Sequence, residues 1–183
     1  SSYFAPGKLI LLGEHAVVYG QPALAAAISR GVRAFAVPCS KCQLELPSGL
    51  TPPQQAALER AFAVAARLPR RPKVSVSLTS DLPVSMGLGS SGALAVALAR
   101  ALLDAQGKPL TNAAVERLAL AMEREFHGTP SGVDHTTSCR GTLVLYQGIS
   151  RECRSCHVGK QPGKLTGASV PGSTKKEVKE DPS

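Results

Sequence analysis

A chain of 183 residues with 43% hydrophobic content is long enough to bury its own core, and one compact domain is expected. Aromatic residues make up only 4% and tryptophan is absent, so that core must be built from Ala, Val and Leu, which suits helices packed closely on a sheet. The net charge of +8 fits an anionic partner, but the basic residues are dispersed (Arg67, Arg70, Arg71, Lys73) with few aromatics to stack bases, which disfavours nucleic acid.

In chain order, "KLILLGE" (8–14) predicts a buried strand ending at Gly13. "GVRAFAVP" (31–38) alternates and predicts a half-buried strand, with "CQLELP" (42–47) pairing beside it. Thr51 followed by Pro52 is a helix start signal. The stretch "PPQQAALERAFAVAARL" then carries apolar residues at helical spacing until Pro69 and Pro72. "KVSVSLTS" (73–80) alternates as a strand does. A helix from about Ser91 to Gln106 is apolar nearly all round, hence buried, and Gly107 ends it. Thr111 caps a further helix, "NAAVERLALAMEREFH", whose inward stripe is Val115, Leu118, Ala119, Met122 and Phe126. "GTPSGVDHTTS" reads as a loop leading into a short helix, and "GTLVLYQG" (141–148) as a last strand. Strands precede, alternate with and follow helices, so the class is α+β. From 149 to 183 the composition loses periodicity and predicts a disordered tail.

No apolar run is suited to crossing a membrane; the Ala-rich segment 92–103 is too short and holds Arg100. The opening "SSYFAPGKLILLGEH" has no basic n-region and no small-residue cleavage site, so no signal peptide is expected. Five cysteines without such a signal favour free thiols, a reducing compartment and a cytoplasmic location. The pattern of Cys153, Cys156 and His157 matches covalent haem attachment, but that chemistry needs export and a packed domain around it.

The stretch "PVSMGLGSSGALAVAL" (83–98) sets the functional question. It admits a plain helix start with Ser90 or Ser91 as the cap. It also fits a dinucleotide fingerprint at Gly87, Gly89 and Gly92. Against this stand the long link from Ser80 to Gly87 and the lack of a following strand ending in an acid. A third reading is a phosphate cradle. Bare backbone amides converge on an oxyanion, the helix dipole adds positive potential, and serine hydroxyls bind phosphate or Mg²⁺. The stretch does not choose among these by itself.

Two further stretches do: "APGKLILLGEHAVVYGQPALAAAI" (5–28) and "HGTPSGVD" (127–134). With the Gly-Leu-Gly-Ser-Ser loop at 87–91, they resemble the GHMP kinase superfamily over about residues 3–148. "EHAVVYG" resembles the branch that phosphorylates mevalonate, and differs from the "EHTDYN" usual in galactokinase-like relatives. The resemblance implies an N-terminal ATP-binding and catalytic domain at 1–148, a two-layer βαβ sandwich like that of ribosomal proteins. It implies transfer of the γ-phosphoryl group of ATP to mevalonate with Mg²⁺, giving 5-phosphomevalonate for isoprenoid synthesis. It admits a homodimer and implies neither a membrane nor a nucleic-acid partner.

By the same resemblance, Asp134 is the base or orienter for the acceptor hydroxyl, and Lys8 lies beside it and offsets developing charge. Gly87, Leu88, Gly89, Ser90, Ser91 and Gly92 form the phosphate loop. Glu14, His15 and Ser131 line the substrate pocket, and Ser91 and Glu123 bind the metal. Helical periodicity puts Glu123 and Glu125 equally at the edges of the apolar stripe, and only the motif selects Glu123. The sequence departs from the family at Gly92, where Ala is common. It departs more seriously after Gly148, where a second domain and a third glycine-rich motif are expected and only "KLTGA" (164–168) resembles the latter. The chain is therefore expected to be truncated before the C-terminal domain, which would impair activity. The alternatives are an inactive nucleotide- or partner-binding module, or another small-molecule kinase of the superfamily.

Overall fold

A computed structural model describes residues 1–46, 50–68, 72–83 and 86–147, the side chains of 65 and 66 excepted. The expected tail, the haem-like cysteine pattern and "KLTGA" lie outside the described residues. The elements are β1 (Ser2–Leu12), a 3-10 turn (Val17–Tyr19), β2 (Pro22–Pro38), β3 (Gln43–Glu45), α1 (Pro52–Ala63) with a 3-10 extension (Val64–Arg67), β4 (Val74–Ser80), α2 (Ser90–Asp104), α3 (Asn112–His127), α4 (Val133–Arg140) and β5 (Leu143–Gln147).

The sheet is organised by β2. At 17 residues it is long enough for two strands to share one of its edges. Residues 22–26 pair with β5 and 32–38 with β4, while β1 takes the other edge; all three pairings are antiparallel. The first half of β2, "PALAAAISR", escapes sequence reading because alanine favours helix. Hydrogen bonding on both edges overrides that preference.

The pairing predicted for 42–47 is corrected. β3 lies beside β4, in parallel, and not beside 31–38. Parallel neighbours need a crossover connection, and α1 supplies it, making β3–α1–β4 a βαβ unit. The N–H of Thr51 donates to Gln54 Oε1 (2.8 Å) at the start of α1. Its last turn tightens to 3-10 ahead of Pro69.

α2 is the central helix. It touches β1, β2, β4, α3 and α4. Its Ala93, Ala95, Ala97, Ala99 and Ala101 are wholly buried, and their small side chains let neighbouring backbones approach on several sides. α3 is capped by Thr111, whose Oγ1 accepts from the Ala114 N–H at 3.3 Å, and buries Val115, Leu118, Ala119 and Met122 against the same core. No helix among the described residues is long and apolar enough to cross a membrane.

Candidate active site

Lys8 sits just past a register irregularity in β1, between Pro6 and Lys8. Its backbone N–H donates to the Leu88 carbonyl at 2.9 Å, tying the strand to the glycine loop. Gly7 makes that approach possible: a Cβ there would lie 2.9 Å from the same carbonyl oxygen and 2.8 Å from Leu82. The Lys8 side chain, 7% exposed, then runs under Gly89. A Cβ on Gly89 would meet Lys8 Cγ at 2.6 Å. Lys8 Nζ ends 3.1 Å from Asp134 Oδ1.

Asp134 lies in the first turn of α4, whose N-cap Gly132 has the left-handed conformation (φ 92°). The Tyr146 hydroxyl donates to the Ser131 carbonyl at 3.0 Å and occupies the space a side chain at 132 would need. Burial, and then the charges of Glu116 and Glu123, push the Tyr146 phenol above its ordinary value, so it remains the hydrogen-bond donor there. The N-termini of α2 and α4 abut. A Cβ on Gly92 would lie 2.8 Å from Asp134 Cβ and 2.9 Å from backbone atoms of Asp134 and His135.

Two positive helix ends and one ammonium group therefore share one mouth, which suits an anion. The first bond of the α2 ladder runs from the Ala93 N–H to the Gly89 carbonyl (2.9 Å). The amides of Ser90, Ser91 and Gly92 precede the ladder, and no side chain caps Gly89. Beside them opens a cavity of about 570 Å³, walled by Leu50, Leu58, Leu78, Leu94 and Phe126 and rimmed by Ser90.

Glu123 faces inward, 1% exposed, and its Oε2 accepts from His135 Nδ1 at 2.5 Å. Glu125 points elsewhere, towards Arg67 at 3.9 Å, so packing separates the two acids that periodicity left equivalent. Ser91 Oγ lies 2.9 Å from His127 Nε2. Ser91 and Glu123 thus each engage a histidine and not one another. No group of three or more His, Cys, Asp or Glu side chains among the described residues could hold a metal. Ser131 Oγ accepts from the Val133 N–H at 3.4 Å. Glu14 and His15 occupy an exposed turn after β1. That turn is anchored at the α4 end of the sheet because Val17 clusters with Val133, Ala23 and Ala25.

Lys8, Asp134 and the loop 87–92 are therefore brought together, while Ser131 bonds at the start of α4 and Glu14 and His15 lie in the exposed turn after β1. His127, His135 and Tyr146 carry contacts in the site that the sequence reading did not assign. His127 opens the "HGTPSGVD" stretch, so the motif contained it. Nothing in the sequence marks Tyr146.

Residues 55–142 match the model of the GHMP kinases N terminal domain, so the class the fold resembles is that of these N-terminal domains. Its relatives are more particular. The mevalonate kinase of Thermococcus sibiricus is 35% identical over 198 residues, covering 95% of this chain and 59% of the relative. That of Aeropyrum pernix is 36% identical over 159 residues, covering 78% and 49%. The crystal structure of L. major mevalonate kinase in complex with R-mevalonate superposes with a TM-score of 0.68 at 30% identity, over 80% of this chain and 48% of that one. The chain spans about half the length of the relatives it matches.

Proposed function

We propose that the protein transfers the γ-phosphoryl group of ATP to the primary hydroxyl of mevalonate. The observation that carries this reading is the Lys8–Asp134 pair, 3.1 Å apart at the common mouth of two helix N-termini. The named relatives support mevalonate as the acceptor.

In this reading the amides at the start of α2 hold the nucleotide phosphates, and the apolar cavity beside them receives the nucleobase. The acceptor hydroxyl lies against Asp134, whose carboxylate takes its proton as the oxygen attacks phosphorus. The new P–O bond forms as the bond to the β-phosphate oxygen breaks, and ADP leaves with that electron pair. The Lys8 ammonium offsets charge on the transferring group. Glu14, His15 and Ser131 supply polar groups at the acceptor end. Ser91 and Glu123 offer a hydroxyl and a carboxylate, hard oxygen donors that suit Mg²⁺ and would hold it. When bound, Mg²⁺ supplies charge neutralisation on the phosphate oxygens.

The test is mevalonate-dependent ADP release by the purified chain. Asp134→Ala is expected to lower turnover by about 10³-fold or more while retaining nucleotide binding and the circular dichroism of the parent. A folded native chain that binds nucleotide but shows no mevalonate-dependent release would replace the kinase reading with that of a binding module.

A further inference from the structure

We infer that His127 is a positioning residue for the phosphate loop: it holds the Ser91 hydroxyl off the start of α2 and turned towards the nucleotide. This deepens the proposed function and rests on it.

A serine in the first turn of a helix has a ready local partner. Its hydroxyl can fold back onto the helix's own leading amides, as capping serines do. Capped in that way, α2 would lose donors that an anion needs. Its N-cap is instead Gly89, which has no side chain, and no side-chain cap is made. The Ser91 hydroxyl is drawn across to α3, where His127 Nε2 lies 2.9 Å away. The contact fixes the Ser91 rotamer in either imidazole tautomer. With Nε2 accepting, the serine lone pairs are left for a cation; with Nε2–H donating, the hydroxyl proton is left for a phosphate oxygen.

The placement is built by the last turn of α3. Phe126 lines the cavity beside the loop, and the adjacent His127 ring reaches Ser91. Gly128 then turns the chain away at a positive φ (66°). One helix end therefore forms both a wall of the nucleobase cavity and the clasp on the phosphate loop. His127 is exposed, so it contributes little to the core. Its loss is expected to reach the nucleotide without loosening the fold.

The experiment is calorimetric titration of ADP into the full chain, in EDTA so that no metal contributes. His127→Ala is expected to weaken ADP binding about 3- to 10-fold, the net size of one hydrogen bond, with an unchanged melting temperature. His127→Gln places an amide near the position of Nε2 and is expected to restore affinity. His127→Asn, which reaches only the position of Nδ1, is not. In a Ser91→Ala background His127→Ala is expected to have no further effect, because the two residues act through one contact. If the native chain binds no ADP in EDTA and none when Mg²⁺ is added back, the kinase reading falls and this inference with it; if it binds ADP only with Mg²⁺, this inference alone falls. If it binds ADP and His127→Ala leaves the affinity unchanged, or adds its full effect to Ser91→Ala, this inference alone falls. A melting temperature that drops in parallel with affinity and is restored equally by Gln and Asn would also overturn it.

Discussion

A methyl group at position 89 meets two obstacles, and position 87 separates them. Both glycines have left-handed backbones, with φ of 69° at Gly87 and 67° at Gly89. A side chain at either costs about 1–2 kcal/mol of backbone strain. At 87 a Cβ would meet nothing within 4 Å; at 89 it would press on the Lys8 stem at 2.6 Å. Gly89→Ala is therefore expected to lose more stability in urea denaturation than Gly87→Ala, which carries the backbone strain alone. Only Gly89→Ala should also lose turnover, by at least about 10-fold, because Lys8 must leave its place beside Asp134. Equal losses of turnover in the two variants would mean that the position of the Lys8 side chain does not matter to the chemistry.

At the scale of elements, Arg100 locks the helices to the sheet. In the sequence it is merely the charge that spoils an apolar run. In the fold its Nη1 donates to the Phe4 carbonyl on β1, and its Nη2 to the Cys139 carbonyl on α4 at 2.9 Å. Arg100→Met keeps the apolar stem and removes both donors. It is expected to cost about 2–4 kcal/mol in chemical denaturation, since two carbonyls lose charged partners. A loss below about 1 kcal/mol would show that water replaces the guanidinium freely. The case illustrates what is legible in a sequence of this kind. α3 and β4 are legible because their periodicity is strong, α2 because it is a long run apolar nearly all round, and their ends carry Thr, Gly or Pro signals. The first half of β2 is not, because a strand of alanines becomes one only when both edges are paired. The partner of β3 is not, because a crossover decides it. In the site, the motif named Lys8 and Asp134, but their contact depends on a β1 irregularity and on two helix ends that meet only in the folded chain. The Ser91–His127 contact likewise depends on how α2 packs on α3, which no spacing along the chain encodes.

At the scale of the molecule, the helices cover one face of the sheet and leave apolar side chains on the other. Leu9 and Leu143 both lie opposite Ala26, and Leu12 and Leu145 both lie opposite Leu24, so these leucines share a face across three strands. They are 45–68% exposed. Such a surface favours association. The chain's net charge of +8 opposes it. The two forces differ in range and in their response to salt. Charge repulsion is screened over about 10 Å at 0.1 M salt and about 3 Å at 1 M, whereas apolar contact is not. The native chain is therefore expected to associate increasingly as salt rises, as read by light scattering at fixed protein concentration. Leu12→Thr with Leu143→Thr keeps β-compatible side chains and removes apolar area from the exposed face. That pair should suppress the salt-induced rise while changing unfolding stability by no more than about 1 kcal/mol. If the double variant scatters as strongly as the native chain at every salt concentration, the attraction resides elsewhere on the molecule and this face is inert.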